Sequence, residues 1–186
     1  SLTLYALSDL SDKSTVNVNM LTNLEVSRVE YLISNGYSFI NAKKQAQKEI
    51  LNIFSIQKST IAESELLDIS KNGDDDAILL AISLILQGFR SEADLTQLMG
   101  NINTDIRADG VLSSSSNGSE LINDARLFNL SQIRTNLTNK FQALGINDTI
   151  PDFERYINLF LDGTHYVVKN NIVYPQNSNY GENILY

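Results

Sequence analysis

The chain has 186 residues and carries 14 Lys+Arg against 22 Asp+Glu, a formal net charge of −8. That balance excludes nucleic acid and an anionic membrane surface as principal partners, because both need a basic footprint. The absence of cysteine removes disulfides, thiolate nucleophiles and Cys-ligated metals together, and the length suits one domain with a sizeable core.

Leu2, Leu4 and Ala6 alternate with Thr3, Tyr5 and Leu7. This period near two predicts a strand or extended lead-in over residues 1–15, the end of a preceding β domain, with Asp9 to Thr15 as a polar connector. A helical domain is expected from 16 to 163. Its first helix runs from Asn19 to Asn35, with Asn23, Ser27, Glu30 and Ser34 as a solvated stripe and Asn35-Gly36 as the C-cap. Within its apolar arc lie Glu25 and Arg28, neighbours at i, i+3. They read as an ion pair that fixes helix packing, or as a ligand-facing pair.

Ser38 caps a second helix whose inner face is Phe39, Ala42, Ala46, Ile50 and Ile53. Lys43, Lys44, Gln47 and Lys48 are expected to face away, as a solvated face or a basic binding patch. A short helical segment over Ala62 to Ile69 is broken by Asn72-Gly73.

The centre of the fold is Ala77 to Leu86, where only Ser83 is polar. A helix apolar on every face must be surrounded by other elements. Crossing a bilayer takes about 20 apolar residues, so no membrane insertion is expected. Just before it, Asp68, Ser70, Asn72, Asp74 and Asp76 stand at alternate positions with Gly73 sixth, the spacing of a calcium loop. Its twelfth position is Leu79, which belongs to the core helix. Asp68, Asn72, Asp74 and Asp76 are therefore metal candidates set against a simpler role, with Asp76 or a neighbour capping the helix.

Ser91 opens the next helix, with Leu95, Leu98, Met99, Ile102 and Ile106 at helical spacing. Ser113 to Ser116 with Asn117-Gly118 reads as a flexible joint. Helices follow over Glu120 to Asn129 and Ser131 to Gly145, and a last one after Pro151 carries Phe153, Tyr156, Ile157, Phe160 and Leu161. Residues 164–186 read as a β-hairpin, His165 to Val168 against Ile172 to Tyr174, and a linker toward a following domain. The expected fold is thus mainly α: an irregular bundle of six or seven helices around a buried central helix, with a hairpin or strands near the termini.

A single His and no Gly-rich phosphate loop leave no nucleophile, zinc or nucleotide signature, so no catalytic residue and no cofactor are nominated. Scattered carboxylates keep a carbohydrate-processing hydrolase, or an accessory domain of one, as the alternative.

The runs Val16 to Glu25, Arg28 to Leu32 and Ala42 to Ile50, with Ala77 to Gly88 and Thr149 to Ile157, resemble a helical module of secreted, lipid-anchored surface proteins of Bacteroides-type gut bacteria. The resemblance implies a place after an N-terminal β-sandwich related to carboxypeptidase regulatory domains, and an outer-membrane, extracellular setting. That family's function is uncharacterised, so the resemblance implies compartment and context and no active-site residue. It is the lack of Cys, of more than one His and of a Gly-rich loop that favours, over the hydrolase, a non-enzymatic module for spacing, display or adhesion. Its partners would be a glycan or protein at the cell surface and the neighbouring domains of the same parent. Asp148-Thr149-Ile150 resembles the acidic-hydroxyl-aliphatic site at which such bacteria O-glycosylate exported proteins, which makes Thr149 a modification candidate.

Overall fold

The computed structural model describes residues 2–169. Seven α-helices lie in this span: α1 Met20–Ser34, α2 Phe39–Ile53, α3 Asp74–Gln87, α4 Glu92–Ile106, α5 Ser115–Ala125, α6 Leu130–Leu144 and α7 Phe153–Gly163. A single 3₁₀ turn, Ser64–Leu66, interrupts the connection from α2 to α3.

Short polar residues start these helices. Asn19 accepts from the Thr22 N–H at 3.0 Å while the Thr22 hydroxyl accepts from the Asn19 N–H at 2.9 Å, a reciprocal cap. Ser38, Ser91, Ser114, Asn129 and Asp152 each cap one of the remaining helices other than α3. Gly36 and Gly145 follow α1 and α6 with positive φ of 91° and 69°, as helix C-termini favour.

Every residue of α3 from Ala77 to Leu86 is buried, Ser83 included. The helix is enclosed by α1, α4, α5 and α7, and each fully buried Leu or Ile contributes about 1.5–3 kcal/mol of transfer free energy. The all-round apolar sequence thus becomes the axis of the bundle. A smaller apolar cluster, Val29, Leu32, Ala42 and Ala46, seals α1 against α2.

No strand occurs among the described residues, which corrects the expected lead-in strand and hairpin. Residues 2–6 and 165–169 do alternate between more and less buried positions, as a strand would. Each instead lies against helices, whose side chains meet its backbone. The Tyr5 N–H donates to Asn23 Oδ1 at 3.1 Å, the Ser119 hydroxyl donates to the Val167 carbonyl at 2.7 Å, and the Lys169 N–H donates to Asn123 Oδ1 at 3.0 Å. The period of two was real; the partner is a helix face. Residues 172–174, the second arm of the expected hairpin, lie outside the described residues.

Four local expectations also change. The joint at Ser113 to Gly118 is the start of α5, with Asn117, Gly118 and Ser119 buried. A Cβ at Gly118 would collide with the Tyr166 ring, so glycine here permits the C-terminal segment to approach the helix. Asn23 leaves the solvated stripe to meet Tyr5, and Lys43 and Gln47 turn inward. The segment Ala62 to Ile69 forms only the one 3₁₀ turn.

Candidate functional site

The first pair singled out in the sequence is split by the structure. Glu25 and Arg28 do not bond to each other; each reaches across to α2. The Arg28 guanidinium donates from Nε to Glu49 Oε2 at 2.7 Å and from Nη2 to Glu49 Oε1 at 2.9 Å. Its remaining nitrogen, Nη1, donates to the carbonyls of Arg107 and Ala108 at 3.2 and 2.7 Å, closing the end of α4. Glu49 raises the Arg28 pKa further, and the guanidinium is fully committed to structure.

Glu25 belongs to a second cluster. Lys43 Nζ stands 2.5 Å from Glu25 Oε2 and 2.9 Å from Glu65 Oε2. The Ser64 hydroxyl donates to the other Glu25 oxygen, Ser8 donates to Glu65 Oε1 at 2.7 Å, and Lys13 bridges Glu63 and Glu65. Gln47 donates to Ser64 Oγ at 3.0 Å and to the Ala62 carbonyl at 2.8 Å. Lys43, Glu25 and Glu65 are all buried.

These groups are electrostatically unequal. Burial pushes the Glu25 carboxyl up, against the pull of Lys43 and Ser64. For Glu65 burial also acts upward, but hydrogen bonds from Lys43 and Ser8 outweigh it and the carboxyl is held below its ordinary value. Burial pulls the Lys43 ammonium down, yet the two carboxylates more than offset this and hold it charged. Beside the cluster lies a cavity of about 130 Å³, rimmed by Asp9, Asp12, Lys13 and Ile40. A protonated lysine between two carboxylates can orient a small polar ligand; it cannot act as a free amine nucleophile.

Glu65 and Lys43 were missed in the sequence. Lys43 follows Ala42, and on the helical wheel it stands close to the α1-facing side. Two alanines at 42 and 46 allow so close an approach that the lysine beside them must go in. Glu65 carried no periodic signal, because its turn is set by tertiary contacts: the Asn17 N–H on the Glu65 carbonyl at 2.8 Å and the Asn19 amide on the Ser64 carbonyl at 2.8 Å.

The four metal candidates do not converge. Asp68 accepts from the Ser70 N–H and hydroxyl at 2.8 and 2.7 Å. Asn72 points to Thr149 Oγ1, 3.5 Å away. Asp74 meets Lys58 at 2.6 Å and the Tyr156 hydroxyl at 2.8 Å. Asp76 accepts from the Asp68 N–H at 2.8 Å and the Gly73 N–H at 3.2 Å. Gly73 is the N-cap of α3 and Asp76 supports it from the first turn. Asp75 takes the Ala62 N–H at 2.8 Å and pairs with Lys58. Among the described residues no three His, Asp or Glu side chains gather as a metal site would require. Thr149 is exposed, in the connection between α6 and α7. His165 is exposed and packs at a tilt against Tyr166, 4.3 Å between ring centroids.

Two further ion pairs fasten the second half of the bundle. Arg134 grips Glu154 at 2.6 Å and donates to the Ile150 and Pro151 carbonyls at 3.1 and 2.9 Å. Arg90 reaches the buried Asp124 at 2.5 Å. None of the described helices is long and apolar enough to cross a membrane. No protein-family model, curated protein or solved structure matches the chain.

Proposed function

We propose that the chain is a non-enzymatic module of a bacterial cell-surface protein, holding and displaying its neighbours and presenting a surface to a glycan or protein. The observation that carries this reading is how the extended segments are fixed. Residues 2–19 are fastened to α1 and the 3₁₀ turn through Asn23, Asn17, Asn19 and Glu65, and residues 164–169 to α5 through Ser119 and Asn123. Buried Arg28 and Lys43 tie α1 to α2 and α4, and the partly exposed Arg134 ties α6 to α7. Such a body transmits orientation from one segment to the other, which a spacer requires. The resemblance to surface modules after a β-sandwich agrees with that role, as does the exposed Thr149 as an O-glycosylation site, which intact mass of protein from the native host would test.

The alternative is a carbohydrate-processing hydrolase, or an accessory domain of one, and it is favoured by one observation. Glu25 is raised and Glu65 lowered beside one cavity, the split that acid and base roles need.

The test replaces the module in the surface-anchored parent by a Gly/Ser linker of equal residue count and reads the height of the outer domains above the membrane by fluorescence energy transfer. A spacer gives collapse and broadening of that height. Unchanged height, or turnover of oligosaccharides by the purified module that Glu25→Gln abolishes, would overturn the reading.

A further inference from the structure

The strongest unassigned feature outside the ion-pair clusters is a groove of about 1030 Å³ between the solvent side of α2 and the connection that follows it. Among the described residues that line it none is acidic, in a chain with 22 Asp+Glu. Three lysines reach it instead: Lys44, Lys48 and Lys58. Lys58 is committed to Asp74 and Asp75. Lys44 and Lys48 are exposed, one turn apart on the same helix face, and bond to no other group among the described residues. Like charges at i, i+4 disfavour a helix, so this pair is a cost that a bound anion would relieve.

The rest of the lining narrows the occupant. Leu51 and Ile56 form the floor at only 3% and 2% exposed, and the half-buried Ile61 with the aliphatic stems of the lysines supplies an apolar strip on which the face of a sugar ring can lie. What faces the opening is the Asn52 and Gln57 amides and the Ser59 and Thr60 hydroxyls, all exposed and none engaged by a side chain or backbone group among the described residues. Uncommitted amides and hydroxyls beside two free ammonium groups match a ligand that is both polyhydroxylated and anionic.

We propose that this groove binds an anionic oligosaccharide of the uronate type, with Lys44 and Lys48 pairing its carboxylates and Asn52, Gln57, Ser59 and Thr60 bonding its hydroxyls. This deepens the display-and-binding reading by naming a ligand class. It is independent of the spacer role, so its failure leaves the height test untouched.

The experiment is calorimetric titration of the purified chain with an oligogalacturonate, the matching neutral galacto-oligosaccharide and an oligo-aspartate peptide. Binding of the oligogalacturonate is expected to weaken with added salt and to exceed that of the other two probes. Loss of one charge-assisted contact lowers affinity by about tenfold or more, so the exposed double variant Lys44→Gln/Lys48→Gln should lose at least that, with an unchanged melting curve. Lys71→Gln, at an exposed lysine beside Asp148, should bind as wild type. Absence of oligogalacturonate binding, equal binding by the double variant, or preference for the peptide would overturn the assignment.

Discussion

Arg28 and Glu49 face each other through two parallel hydrogen bonds of 2.7 and 2.9 Å, with Arg28 also bonded to the end of α4. One side chain thus sets the positions of three helices. The Glu49 carboxylate is packed so tightly that a Cβ at Gly110 would strike it. Removing only the arginine leaves that carboxylate with the Gln45 amide, 2.7 Å from Oε1, but no charged partner among the described residues, and Arg28→Met is expected to cost about 3 kcal/mol in urea unfolding. Replacing both partners, Arg28→Met with Glu49→Leu, should recover most of the loss. A single variant as stable as wild type would contradict this geometry.

The Lys43 cluster makes stability depend on pH in two opposite ways. Glu65, held below 4.5, contributes stability that is full above that value and is lost as pH falls through its folded pKa. Glu25, raised above 4.5, acts oppositely: its charging costs stability as pH rises from 4.5 through its folded value, so acidification toward 4.5 restores it. Urea melts from neutral to acid pH should show Glu65→Gln flattening the loss below 4.5 and Glu25→Gln removing the gain above it. Identical profiles for the two variants would refute the split.

On the alkaline side Tyr166 is the reporter. Burial, with Asp105 adding to it, pushes its phenol from 10.0 to about 12, and its hydroxyl donates to the Leu112 carbonyl at 3.3 Å. The folded state therefore favours the neutral phenol. Its contribution is full below pH 10 and is lost as pH rises toward about 12. Subtracting the phenolate absorbance titration of Tyr166→Phe from that of wild type should reveal one late phenol among the eight tyrosines. A difference curve centred at 10.0 would show that the ring is not buried.

The same ring lies against Gly118, where any side chain would collide with it. Gly118→Ala is expected to displace residues 164–169 at a cost of about 1–3 kcal/mol. Amide exchange at Lys169, whose N–H is held by Asn123, should then accelerate while α3 amides stay protected.

Residues whose surroundings are local were legible in the sequence, and those whose partners are distant were not. Ala77 to Leu86 declared itself as the axis because nothing in it could face water, and Ser38 and Ser91 marked helix starts through bonds that span three residues. Leu79, standing where a calcium loop needs a carboxylate, is core as its neighbours required. Glu25 and Arg28 were visible as charges in an apolar arc, but their partners Lys43 and Glu49 lie on another helix. Alternation at Leu2 to Leu7 and His165 to Val168 signals one-sided burial without saying whether a strand or a helix supplies the other side. Serines and asparagine at 114 to 117 look like a loop by composition, yet Ser114 is a cap and Asn117 is held within α5.

Both extended segments are fixed to the same helical body. The chain has no cysteine, so two can be introduced and labelled without competition. Tyr5 and Val167, 61% and 74% exposed, project away from the segments that carry them. Double electron–electron resonance between spin labels at Tyr5→Cys and Val167→Cys should give a single narrow distance distribution, which Ser119→Ala combined with Asn123→Ala broadens. A broad distribution in the otherwise unaltered chain would show that the two segments are not held on one body.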